Sequence, residues 1–168
     1  MKAIRRLLAV LLGGAMLVAL SCREPAPLAV DPLPDLVPPP TGLLQCSPLP
    51  ADSVTQTIGP AGGVLQVGPH SLTVPAGALD SAVAITAVAP SDTVNRVNFQ
   101  PEGLTFQQPA SLTMSYANCN TLGSTLPKEI VYANDALNIF EYLPSVDDLM
   151  SQMVTAQLQH FSDYAIAW

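Results

Sequence analysis

Positive charge is scarce in this sequence. Six of the 168 residues are Lys or Arg, against thirteen Asp and Glu. Three of those six, Lys2, Arg5 and Arg6, fall within the first six positions. With residues 1–21 set aside, three basic residues stand against thirteen acidic ones, a balance of −10. Such a surface repels a phosphate backbone, which excludes nucleic acid as a partner. The acidic residues form no run and read as a solvated surface. Histidine is limited to His70 and His160. Neither lies near cysteines or acidic residues at metal-ligand spacing, so no metal and no other cofactor is expected. The pairs Asp147-Asp148 and Asn134-Asp135 lack the alternating oxygen ligands of a calcium loop. No Gly-x-Ser-x-Gly elbow is present. One Trp and four Tyr, most at inward-looking strand positions, are too few for a carbohydrate groove. No small-molecule substrate is evident.

Long apolar runs are also missing. The longest, "LLAVLLGGAMLVAL" at 7–20, has fourteen residues, short of the roughly 20 that span a bilayer. With the basic residues before it and small residues after it, this run has the pattern of a secretion signal covering 1–21. The segment "ALSC", 19–22, resembles the bacterial lipobox, although leucine is more usual where Ala19 stands. The resemblance implies cleavage before Cys22 and acylation of that cysteine. Buried acyl methylenes at about 0.8 kcal/mol each then give a stable anchor once two or more chains are attached. The alternative is an ordinary cleaved signal peptide that happens to precede a cysteine.

Residues 23–50 hold nine of the seventeen prolines. Proline fixes φ and lacks an N–H, so the stretch stays extended and outside any sheet. Residues 22–45 therefore read as a lipid-anchored linker, and 46–168 as one domain. If Cys22 carries lipid, Cys46 and Cys119 remain. In an exported chain an even pair reads as a disulfide. It closes a loop of about 74 residues, worth roughly 4 kcal/mol by chain entropy.

Within the domain helix is scarce. The best helical segment is "PSVDDLMSQ", 144–152, with Ser145 at the N-cap and Asp147 and Asp148 in the first turn. Elsewhere the signals are β. "GGVLQVGPHSLTV", 62–74, reads as a hairpin whose turn is Gly68-Pro69-His70, which leaves His70 solvated. "VAITAVA", 83–89, is β-rich. "SLTMSY", 111–116, sets Leu112, Met114 and Tyr116 on one face. "EIVYAN" and "LNIFEYL" flank a tight turn at Asn134-Asp135. "MVTAQLQH", 153–160, turns Val154, Ala156 and Leu158 inward, and "YAIAW" groups Tyr164, Ile166 and Trp168. Strands every eight to twelve residues between Gly and Pro breaks predict an all-β protein, an antiparallel β-sandwich of about 8–10 short strands.

"IGPAGGVLQVGPHSLTVPAGALDSAVAITA", 58–87, followed by "PEGLTFQQPASLTMSY", 101–116, resembles the ZU-five domain, the β-sandwich module of netrin receptors, ankyrins and zonula-occludens scaffolds. The features that carry the resemblance are Gly62-Gly63, "VPAGAL" at 74–79, and Gly103, Phe106 and Pro109 ahead of a strand. The resemblance implies a protein-binding or spacer module rather than an enzyme. Each feature also has a plain role. Gly62-Gly63 permits positive φ at a strand entry, Pro75 and Gly77 make a turn, and Pro101 and Pro109 end strands or sit at their edges.

Some members of that family cut themselves between the Phe and the Ser of a His-Phe-Ser sequence, which stands here as His160-Phe161-Ser162. In an extended strand residues i and i+2 share a face, so the His160 imidazole is placed to reach the Ser162 hydroxyl as base. The plain reading makes His160 a core-edge residue continuing the Leu158 row, Phe161 a bulge or a switch between sheets, and Ser162 and Asp163 a turn. Only 162–168 follow the cut. The sequence as a whole reads as an exported lipoprotein of a bacterial cell envelope, bound to a membrane through Cys22, with a non-catalytic domain for an envelope protein partner. Arg23 in place of the aspartate that retains some lipoproteins in the inner membrane points to the outer membrane.

Overall fold

Among the described residues, alternating side chains between Gly and Pro breaks fold into eleven antiparallel strands and no helix. The computed structural model describes residues 42–168; the expected signal segment, Cys22 and most of the expected linker lie outside the described residues. The strands are β1 (Asp52–Ile58), β2 (Gly63–Val67), β3 (His70–Val74), β4 (Val83–Ala89), β5 (Arg96–Gln100), β6 (Thr105–Ser115), β7 (Glu129–Ala133), β8 (Ile139–Tyr142), β9 (Ser145–Asp148), β10 (Met153–His160) and β11 (Asp163–Ala167). They form two sheets, β1-β4-β5-β11-β7-β8 and β2-β3-β6-β10-β9. The predicted β-sandwich is present, with one strand more than the upper expectation.

The period-2 pattern builds the core. Leu65, Leu72, Leu112, Met114, Val154 and Leu158 project from the five-stranded sheet. They meet Ile58, Ile85, Val97, Phe99, Tyr164 and Ile166 from the other, and all are buried in one cluster. Truncating any one of the leucines to Ala is worth about 2–5 kcal/mol. The last strand, β11, is buried on both faces. Tyr164 and Ile166 face the core, while Ala165 and Ala167 join Val94 and Val131 in a second cluster on the outer face. Small alanines there let the entering chain lie close: Leu43 bridges Ala167, and the Leu44 N–H donates to Ile166 O at 2.8 Å.

Four elements depart from expectation. Residues 145–148 form β9, paired with β10, and not a helix. Ser145 does not cap: its Oγ accepts the Ile130 N–H at 2.9 Å and donates to Leu143 O at 2.7 Å. Pairing to a neighbouring strand overrides a weak local helix signal. β6 runs unbroken through Pro109, because the ladder to β10 is already irregular between Leu158 and His160 and needs no N–H there. β1 and β5 carry no clear signal of their own; β1 is a polar edge strand in which only Ile58 is buried.

The two halves of the quoted glycine-rich motif touch. Gly62 has φ +74°, and a Cβ there would lie 2.4 Å from Val74 O and 2.8 Å from Pro75 C. The Gly77 N–H donates to Pro60 O at 2.8 Å. Both contacts are structural.

Candidate functional site

His160, Phe161 and Ser162 lie where the chain leaves one sheet for the other. β10 belongs to the five-stranded sheet and β11 to the six-stranded one, so only Phe161 and Ser162 make the crossing. Apolar packing and backbone hydrogen bonds hold the crossing in place. The Phe161 ring stacks on Phe99 with centroids 4.9 Å apart and meets Phe106 edge-on at 5.0 Å. The Phe161 N–H donates to Leu104 O at 2.8 Å, and Phe161 O accepts the Gly103 N–H at 3.0 Å. Ser162 O accepts the Phe99 N–H at 3.2 Å.

His160 stands at the edge of the core, part-buried, with its ring against Tyr132 and Tyr164 of the facing sheet. The strand ends at His160, so residues 160 and 162 no longer share a strand face. The imidazole Nδ1 sits 3.3 Å from Phe161 O instead. In the tautomer that carries its proton on Nδ1, that ring and the Gly103 N–H both polarise the carbonyl that Ser162 would attack. The Tyr164 hydroxyl closes the arrangement by donating to His160 O at 2.6 Å.

Ser162 itself is buried and lines a polar cavity of about 180 Å³ with Asn98, Glu102, Asp135 and Asp163. Burial, followed by a hydrogen bond and charge from Asp135, pushes the Asp163 carboxyl up to about 6. Arg96 opposes the shift. Asp135 stands in the β7–β8 turn, which forms at Asn134-Asp135 as the sequence predicts. Sequence reasoning did not pick out Asp163 as titratable; only the β11–β7 register reveals it.

At the opposite end lies a second constellation that the sequence did not reveal. Lys128 is fully buried. Its ammonium sits 4.3 Å from the Trp168 ring centroid and 5.7 Å from that of Tyr116, and donates to Leu126 O. Asp147 accepts the Lys128 backbone N–H at 2.8 Å and the Tyr116 hydroxyl at 2.6 Å. Burial lowers the Lys128 pKa, and Asp147 partly offsets this. Burial and then the Asp147 hydrogen bond push the Tyr116 phenol up. The residues close this end of the sandwich. Asp148 accepts the Ser151 hydroxyl at 2.6 Å and the Met150 N–H at 3.0 Å, so it holds a turn. Among the described residues no group of three His, Cys, Asp or Glu is placed to hold a metal.

His70 is a correction. It is buried at 2% exposure, because β3 begins at His70 itself, paired with Val67. Its Nδ1 accepts the Ser115 N–H at 3.2 Å, and burial lowers its pKa to about 4. Beside it an apolar groove of about 480 Å³ runs between Leu49, Pro50, Pro69 and Ala117.

The disulfide predicted between Cys46 and Cys119 is formed, across a sequence separation of 73. The two cysteines face each other as an antiparallel bridge. Flanking hydrogen bonds run from Ser47 N to Asn118 O (2.9 Å) and from Asn120 N to Gln45 O (2.8 Å). No protein-family model matches the chain, and no curated protein matches it in sequence.

Proposed function

We propose that this chain is an exported envelope lipoprotein, anchored through Cys22, whose β-sandwich is a non-catalytic protein-binding or scaffolding module of ZU-five type. The observation that carries the proposal is the Cys46–Cys119 disulfide. It ties the point where the chain enters the domain to the end of β6, and such bonds persist in oxidising compartments. The Pro-rich stretch from 23 then serves as spacer between lipid and domain. The test is expression in a bacterium with and without an inhibitor of lipoprotein signal cleavage. The expected product begins at acylated Cys22 with Cys46 and Cys119 oxidised, by intact mass; an unacylated product, or free thiols at 46 and 119, contradicts the proposal. A capture experiment from envelope extract, with the chain as bait, then identifies the partner.

A second reading is self-processing between Phe161 and Ser162. The two polar groups on Phe161 O favour it. Ser162 Oγ would attack the Phe161 carbonyl carbon, the C–N bond would break as the nitrogen takes a proton, and water would hydrolyse the resulting ester. The products are a Phe161 carboxylate and a free amine on Ser162. β11 lies between β5 and β7, so the cut peptide would stay docked until denaturation. Denaturing intact mass with and without Ser162→Ala distinguishes the readings: loss of 162–168 only in the unmodified chain supports processing, and an unbroken chain in both rules it out.

A further inference from the structure

The two ends of the sandwich differ. Among the described residues eight large apolar side chains are exposed. Four of them lie on strands: Val64, Phe140, Tyr142 and Val146. The other four, Leu122, Leu126, Leu149 and Met150, all lie on loops at one end, with Leu122 72% and Met150 97% exposed. The loops at the other end, 59–62, 75–82, 101–104, 134–138 and 161–162, carry none. The apolar loops are held as a unit. Lys128 binds Leu126 O and Asp147, and Asp148 caps the turn carrying Leu149 and Met150. This is also the end at which the chain joins the domain: Trp168 N donates to Gly42 O at 3.1 Å, and Cys46 bridges Cys119.

We propose that this end of the sandwich docks on a zwitterionic bilayer surface, inserting Met150, Leu149, Leu122 and Leu126 among the headgroups. The proposal rests on the reading of Cys22 as the lipid attachment. Nineteen residues separate Cys22 from Gly42, a tether that extends to about 60 Å at ~3.1 Å per residue. A tether of that reach makes docking intramolecular, so four side chains suffice where a free domain would dissociate. Charge selects the headgroup. The described residues include two basic side chains, Arg96 paired with Asp92 and Lys128 buried, so none is presented to anionic lipid. Asp52, Asp147 and Asp148 at this end add repulsion.

Cys22 is the one cysteine outside the disulfide. The chain from Cys22 onward can therefore be coupled through that thiol to a maleimide lipid, whether or not cells acylate it. Phosphatidylcholine vesicles with brominated acyl chains then quench tryptophans that enter the membrane. Met150→Trp is expected to lose about half its added emission, as for a side chain ~5–10 Å below the surface. The control Ala61→Trp, on an exposed turn at the other end, is expected to lose no more than the unmodified chain. Quenching of Met150→Trp that does not exceed that of the unmodified chain, or equal quenching of Ala61→Trp, overturns the proposal. So does stronger quenching on phosphatidylglycerol, or a Met150→Trp shift that follows protein density and marks a second copy. Acylation in cells is measured separately by intact mass, so failure of the anchor reading leaves this result interpretable.

Discussion

The Ser115 backbone N–H donates to His70 Nδ1 across the β3–β6 pair at 3.2 Å, inside a site where the histidine is 2% exposed. The bond requires an unprotonated Nδ1. Burial holds the imidazole at about 4, well below its ordinary 6.5. The folded state therefore binds this proton less readily than the unfolded chain. The contribution to stability is complete above 6.5 and is lost as pH falls from 6.5 through about 4, amounting to about 3 kcal/mol. Urea unfolding at a series of pH values is expected to show that loss, and His70→Asn, which retains an acceptor but does not titrate, is expected to flatten it. An equal slope in both proteins refutes the assignment.

Asp163 acts in the opposite direction over an overlapping range. Its carboxyl is raised to about 6 by burial and by Asp135, so the folded state binds this proton more tightly. That stability is complete below the ordinary carboxylate value of 3.8 and is lost as pH rises through about 6. Asp135→Asn keeps a hydrogen-bonding group and removes the repelling charge. It is expected to raise the unfolding midpoint at pH 7 and leave it unchanged at pH 4. Because His70 and Asp163 oppose each other, the unmodified protein shows a shallow profile, and each slope emerges only when the other group is removed. A midpoint at pH 7 unmoved by Asp135→Asn contradicts the part assigned to Asp135.

The strands that pack on both sheets were legible because alternation registers burial on one face: Leu112, Met114, Val154 and Leu158 stand where period 2 puts them. β1 was not legible. An edge strand buries little, so its side chains carry no pattern. Residues 145–148 misled because their cap chemistry is real but local, and the deciding interaction is pairing with β10. Of the candidate site, the cysteine pair followed from counting. The crossing at Phe161 and a core-edge His160 were named as one alternative, yet the contact of the imidazole with Phe161 O follows from the backbone path of the crossing, which has no residue signature. Lys128 was invisible for a related reason: its partners Trp168, Tyr116 and Asp147 come from three distant segments.

Lys128 and Trp168 are expected to be energetically coupled. The ammonium lies 4.3 Å from the indole centroid and is cut off from water. Trp168→Leu leaves it without its closest aromatic face, whereas Lys128→Met keeps the stem and removes the charge. A double-mutant cycle by urea unfolding is expected to give a coupling of about 1–2 kcal/mol, with the double variant more stable than the sum of the singles implies. Additive effects contradict an aromatic partner for the lysine.

Gly62 bears on why the glycine-rich motif is built as it is. Its φ of +74° is strained for any residue with a side chain, and a Cβ would meet Val74 O at 2.4 Å. The obstacle is backbone held by the β2–β3 ladder, in which Gly63 pairs with Val74, so it does not yield by a rotamer change. Gly68, also at positive φ (+52°), has open space around the same position. Gly62→Ala is therefore expected to cost roughly 3 kcal/mol, combining backbone strain with the clash. Gly68→Ala, which bears the strain alone, should cost roughly 1 kcal/mol. Equal losses at the two sites in thermal or urea unfolding would show that conformation, rather than the contact between 62 and 74–75, accounts for the glycine.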